Sequence, residues 1–239
     1  LMRVDRPIGF YLLMWPVLWA FMISTSGKPT IFYLIVFGIG IIVTRSAGCI
    51  INDYFDQEYD RKVERTKNRV LADKKISNQE ALILFLLLIL ICFVLLLMLD
   101  LKILLFAIIS LCLLISYPLM KRFFKIPQLI LGLAFGSSIP MVFILEAGEI
   151  NLNCVLLYSL TVIWAIVYDT YYAMADKKDD KKVGIQSSAL FFGENDVKYS
   201  SYLHYTVIIL FALIGLINNF DLVFYAIMLL SCLCVIYQN

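Results

Sequence analysis

The sequence predicts an all-α protein, a polytopic transmembrane helical bundle, and three observations predict it. Of its 239 residues, 62% are hydrophobic and only 16% charged, with a mean hydropathy of +0.88, outside the range of soluble domains. Apolar runs close to twenty residues, the length that crosses a bilayer as a helix, recur from one end to the other. The charges are also sorted by position: cations crowd alternate ends of the runs. A net charge of +2 points to no nucleic acid partner. The partner it does require is a lipid bilayer.

The first span is expected from Ile8 to Ser24, opened by Pro7 and bent at Pro16. Trp15 and Trp19 within it fit either an interface position or simple packing, and packing is the preferred reading. Gly27-Lys28-Pro29 turns the chain into a second span from Ile31 to about Ile51. Arg45 near its end needs a partner or an anion, since an unpaired charge there costs a few kcal/mol (about 2.5–3.5 on insertion scales). The third span is about Gln79 to Leu99 and the fourth about Ile103 to Tyr117, ended by Pro118. The fifth covers about Gln128 to Leu145, with small residues for close packing and a kink at Pro140. The sixth is about Leu152 to Tyr168, the seventh Tyr199 to Ile217 and the eighth Asp221 to Ile236. His204 is read as a packed or hydrogen-bonded histidine. The six cysteines sit in or beside apolar runs without metal-ligand spacing, and are read as buried small hydrophobes.

Seventeen of the twenty Lys and Arg residues fall at one set of span ends. Only Lys28 and Lys102 mark the other set. The positive-inside rule then places the N-terminus and the polar segments after the second and sixth spans in the cytoplasm.

Those two segments carry the chemistry. The first reads Asn52-Asp53-Tyr54-Phe55-Asp56-Gln57-Glu58-Tyr59-Asp60. If the helix continues through it, Asn52, Asp56 and Asp60 lie one turn apart on one face, with Arg45 two turns earlier. The second places Asp169, Asp176 and Asp180 at intervals of seven and four, again one face. Oxygen-only ligands suit a hard cation such as Mg²⁺, which is commonly shared between carboxylates and a phosphate-bearing substrate. Arg65, Lys67 and Arg69 set three cations beside the first segment, and Lys and Arg suit the remaining phosphate charge. A lipid-linked diphosphate fits both the polar rim and the apolar spans. The plainer alternative is two solvated helix ends with scattered acids. An ion or proton transporter is a further alternative, though transporters place their sites near the midplane.

The pattern N-D-x-x-D-x-x-x-D after R-S-A-G-C and before R-T-x-x-R resembles the first signature of the UbiA-type membrane prenyltransferases. Y-D-T-x-Y-A-x-x-D-x-x-D-D from Tyr168 resembles the second. With Y-P-x-x-K-R at Tyr117 to Arg122, the form is most similar to the branch acting on 4-hydroxybenzoate in ubiquinone biosynthesis. The resemblance runs from Arg3 to the end. It implies nine helices around a central cavity open to the cytoplasmic (or matrix) side of a bacterial or mitochondrial inner membrane. Eight are read here, and Leu1 and Asn239 lead us to expect a single domain, residues 1–239, lacking its extreme N-terminus and last helix. Val70 departs from the family's usual Pro, and Gln186 from its usual Lys.

The resemblance further implies Mg²⁺ as cofactor and transfer of a polyprenyl group from polyprenyl diphosphate to 4-hydroxybenzoate, at the ring carbon ortho to the hydroxyl. Asn52, Asp56 and Asp60 hold one metal, Asp176 and Asp180 the other, with Asp53 and Asp169 in support. Arg65, Arg69, Lys121 and Arg122 hold diphosphate oxygens. Asp176 is a candidate for engaging the phenol and Arg45 for the acceptor carboxylate. Homogentisate, a naphthoate, haem or a chlorophyllide are alternative acceptors.

Overall fold

The structure, a computed structural model, describes residues 1–238 apart from Arg6 and Arg65. Ten α-helices and two short 3₁₀ turns make up the described residues, which contain no strand. The helices are α1 (Ile8–Ser24), α2 (Ile31–Asp60), α3 (Asn78–Leu97), α4 (Leu104–Met120), α5 (Gln128–Gly136), α6 (Ser138–Glu146), α7 (Leu152–Val183), α8 (Ser188–Phe192), α9 (Asp196–Ile217) and α10 (Leu222–Gln238). Six helical segments, with α5–α6 counted as one and α8 joined to α9, are long and apolar enough to cross a bilayer; α1 and α10 are shorter apolar helices.

Two lengths decide where the chemistry sits. At 1.5 Å per residue, the 30 residues of α2 and 32 of α7 extend about 45 Å or more. That exceeds a hydrocarbon core of about 30 Å. Each helix therefore carries its acidic C-terminal turns out to the membrane surface without a break. The continuation of α2 through Asn52, Asp56 and Asp60, conditional in the sequence, is what occurs.

The prolines act differently from expectation. Pro118 does not end α4; the helix runs on to Met120 with Pro118 buried inside it. The lost N–H bond is tolerated so close to the end, and the extra turn sets Lys121 one turn beyond Tyr117 on the same face. The fifth span divides into α5 and α6 at Ser137, where the backbone stays right-handed helical (φ −60°, ψ −21°). Pro140 cannot donate to the Gly136 carbonyl, and Ser137 Oγ donates to the Ala134 carbonyl (2.7 Å) and pairs with Ser110 of α4 (2.8 Å) at this irregular turn.

Core packing comes in two clusters. One joins α1, α2, α6, α7 and α9 through Phe21, Phe37, Phe143, Leu157 and Ile214. The other joins α2 and α3 through Ile50, Ala81 and Phe85, and includes Leu71 from the α2–α3 loop. That loop is thereby anchored against the bundle: Leu71 and Ala72 are buried and Arg61 Nε donates to the Ala72 carbonyl (3.0 Å). Its far end starts α3 with a capping box, Ser77 and Glu80 exchanging bonds.

Two packing expectations are corrected. Trp19 packs between Trp164 and Phe211, but Trp15 is 47% exposed. Only Cys49 and Cys154 are buried; Cys112 and Cys234 lie on the outer surface, where an apolar thiol meets lipid rather than water. His204 is packed, the first of its two expected alternatives: its Nδ1 is buried, without a hydrogen-bond partner.

Candidate active site

The acidic ends of α2 and α7 and the loop ends of α4 and α5 close around one cavity of about 820 Å³. Asn52, Asp56 and Asp60 line it from one face of α2, as the four-residue spacing requires. Asp169, Asp176 and Asp180 line it from α7. Apolar side chains of α2, α3 and α4, including Ile89, Leu96 and Ile108, form its wall toward the opposite end. A polar rim thus opens into an apolar chamber, the division that a charged head on a long hydrocarbon tail demands.

Cations hold the first acidic face in place. Lys121 Nζ donates to Asn52 Oδ1 (3.0 Å) and Asp56 Oδ2 (2.7 Å). Arg69 Nη1 donates to both oxygens of Asp60 (2.9 and 2.8 Å) and lies 3.3 Å from Asp53 Oδ1. Burial disfavours the Arg69 charge, but Asp53, Asp60 and Asp56 outweigh it and raise its pKa. Thr66 Oγ1 donates to the Asp60 carbonyl (3.1 Å) and fixes the end of the helix. Asp53 is buried on the neighbouring face, outside the cavity lining, paired with Arg3 and Arg69.

On the second face, Asp169 accepts from Tyr117 (3.4 Å) and is bonded by Gln128. Gln128, 3% exposed, also accepts from the Ser188 N–H (2.9 Å), and Ser188 Oγ pairs with Thr170 (2.6 Å). The Gln186 N–H donates to the Lys121 carbonyl (2.8 Å), joining the α7–α8 loop to the α4–α5 loop. Gly184 allows this: with φ +76° it ends α7 in the left-handed conformation and turns the chain back over the cavity mouth.

The sequence-derived residues therefore converge, with two differences. Arg122 does not line the cavity; it donates to the Phe55 carbonyl (2.9 Å) and lies over the Tyr59 ring. Arg65 falls outside the described residues. Arg45 lines the cavity from α2, pressed against Gly9 of α1. Four further residues had no assigned role in the sequence. Arg3 counted only toward topology, Gln128 was read as a span end, Tyr168 as a span end and the opening residue of the second signature, and Gly9 carried no signal. Tyr168 lines the cavity with its buried hydroxyl unpartnered.

The donor set fits a hard divalent cation: oxygens on two facing helices at a polar rim. Among the described residues no three His, Cys, Asp or Glu side chains already converge in ligating geometry, because Asp56 and Asp60 are turned onto Lys121 and Arg69.

The chain is similar along its whole length to proteins already characterised. It is 42% identical over 239 residues to the 4-hydroxybenzoate octaprenyltransferases of Escherichia fergusonii and Photobacterium profundum, covering 100% of this chain and 82% and 83% of those proteins. Among solved structures, the UbiA homologue of Aeropyrum pernix K1 superimposes with a TM-score of 0.85 at 23% identity, over 99% of this chain and 88% of that one. A UbiA homologue of Archaeoglobus fulgidus bound to GPP and Mg²⁺ does so with a TM-score of 0.78 at 18% identity, over 99% and 84%. The model of the UbiA prenyltransferase family matches residues 13–239, and with both acidic signatures lining one cavity, the chain belongs to that family of prenyltransferases.

Proposed function

We propose that the protein transfers a polyprenyl group from polyprenyl diphosphate to 4-hydroxybenzoate, at the ring carbon ortho to the hydroxyl, with release of diphosphate. The observation that carries this reading is the pair of acidic helix faces meeting at the polar rim of an apolar cavity. The names of the 42% identical relatives support the acceptor, and the archaeal homologues bound to GPP or DMAPP with Mg²⁺ support the donor and metal.

Asn52, Asp56 and Asp60 would hold one Mg²⁺ and Asp176 and Asp180 a second. When bound, Mg²⁺ supplies charge neutralisation for the diphosphate as the allylic C–O bond breaks. Lys121 and Arg69 add donors to the leaving oxygens. The apolar walls take the tail and keep water from the allylic cation. Arg45 receives the acceptor carboxylate, and Asp176 engages its phenol, so that the ortho carbon faces the donor. Loss of the ring proton then restores aromaticity.

The rim faces the cytoplasmic (or matrix) side of an inner membrane in this reading, which the cation distribution supports. Eight spans would follow if α1 and α10, 17 residues each, cross at the short end of the range for a spanning helix.

The test is a transfer assay in membranes containing the protein, with radiolabelled 4-hydroxybenzoate, a polyprenyl diphosphate, and Mg²⁺ or EDTA. Mg²⁺-dependent label in the lipid phase is expected. Label with homogentisate or a naphthoate in place of 4-hydroxybenzoate would reassign the acceptor, and absence of transfer to all of them would overturn the reading.

A further inference from the structure

The oxygens on which the proposed metal site depends are already in use. Lys121 Nζ engages Asn52 Oδ1 and Asp56 Oδ2 together, in a pair whose side chains are only 18% and 8% exposed. A divalent cation seeking those oxygens at about 2.0–2.1 Å meets an ammonium ion already there. Two positive centres on one buried carboxylate repel strongly, because little water screens them.

We infer that Lys121 is a built-in competitor of the metal: it occupies Asn52 and Asp56 until a diphosphate arrives, then passes from carboxylate to phosphate. The divalent cation consequently binds tightly only together with the diphosphate. This inference rests on the function proposed above and assigns the order in which the site fills.

The structure separates the part that moves from the part that stays. The Lys121 carbonyl is held by the Gln186 N–H (2.8 Å), and the residue directly follows the last turn of α4. Its backbone is therefore fixed while four rotatable bonds carry the ammonium. The Tyr117 ring, its centroid 4.9 Å from Nζ, offers the ammonium a favourable surface beside the carboxylates. Arg69 contrasts with it: its Nη1 engages both oxygens of Asp60 and reaches Asp53, so it has more contacts to give up. The consequence for turnover is that diphosphate and metal leave together, since Lys121 returns to the carboxylates as the phosphate departs.

The test reads metal binding directly. Mn²⁺ binding to the full chain in lipid nanodiscs is followed by electron paramagnetic resonance, with and without a prenyl thiodiphosphate that cannot transfer its chain. Wild type, Lys121→Met and Lys121→Arg are compared, and intrinsic Trp fluorescence confirms the fold. Without the thiodiphosphate, Lys121→Met binds Mn²⁺ at least about tenfold more tightly than wild type, since a charge-assisted bond no longer opposes the metal and a carboxylate is left uncompensated. Lys121→Arg restores weak binding. Adding the thiodiphosphate tightens Mn²⁺ binding strongly in wild type and much less in Lys121→Met. If wild type binds Mn²⁺ with the thiodiphosphate but Lys121→Met binds it no more tightly than wild type alone, the exchange is overturned and the proposed function stands. If wild type binds no Mn²⁺ under either condition, both fall.

Discussion

Replacing Gly9 by alanine tests the acceptor end of the cavity with a single methyl group. A Cβ at Gly9 would stand 2.6 Å from Nη2 and 2.8 Å from Cζ of Arg45, inside any allowed contact distance. The obstacle is the far end of a flexible side chain rather than backbone, so the fold accommodates the change and the guanidinium moves. If Arg45 receives the acceptor carboxylate, that shift removes a charge-assisted interaction of about 1.5–3 kcal/mol, which is about tenfold to a hundredfold in acceptor affinity. Transfer rates in membranes, with 4-hydroxybenzoate varied at saturating donor and then the reverse, read the effect. Gly9→Ala is expected to raise the KM for 4-hydroxybenzoate and leave that for the polyprenyl diphosphate unchanged. Arg45→Gln is expected to match it, and the double variant to be little worse than either single one. An unchanged acceptor KM, or effects of the two substitutions that simply multiply, would refute the placement of Arg45 at the acceptor.

Gly132→Ala is expected to be costlier to the fold, because its Cβ would meet backbone of α7, 2.7 Å from the Val162 carbonyl oxygen. Overpacking of this kind costs about 1–3 kcal/mol, visible as a lowered thermal midpoint in detergent. Ser77→Ala removes the capping box of α3 and is expected to cost about 1 kcal/mol in the same melt, with transfer kinetics unchanged. Gln128→Leu strips the Ser188 N–H and Asp169 of a buried partner. Loss of both stability and kcat is expected, and either one holding at the wild-type value would separate the network from the site.

How far the sequence reached depends on the kind of contact. Bounds of α1 agree to the residue because Pro7 opens it and an apolar run fills it. The extension of α2 to Asp60 was readable from the spacing of Asn52, Asp56 and Asp60, which makes sense only on a helix. Hydropathy stops at Ile51 because it measures the bilayer, while the helix obeys its own hydrogen bonds. Proline positions misled for a related reason. Pro118 sits near enough to a helix end to cost little, whereas Pro140 lacks the N–H that would reach the carbonyl a full turn upstream, so the irregular turn appears at Ser137 rather than at the proline.

Within the site, carboxylates and lysines announced themselves by charge in an apolar chain. Their pairing did not: that Lys121 bridges Asn52 and Asp56, or that Arg122 turns away to Phe55 and Tyr59, follows from loops whose course no periodicity encodes. Gly9 and Gln128 were silent because their roles come from neighbours distant in sequence. Gly9 matters by what its missing side chain admits, and Gln128 by its reach to Ser188.

The central claim is that the two acidic faces act on one diphosphate. The direct measurement is the prenyl-transfer rate of Asp56→Ala and of Asp176→Ala, each shown to be inserted in the membrane at wild-type level, over a range of Mg²⁺ concentrations. Both substitutions are expected to lower turnover by at least about a hundredfold at every Mg²⁺ concentration. Near-wild-type transfer by either variant would contradict the claim and remove that helix face from the chemistry.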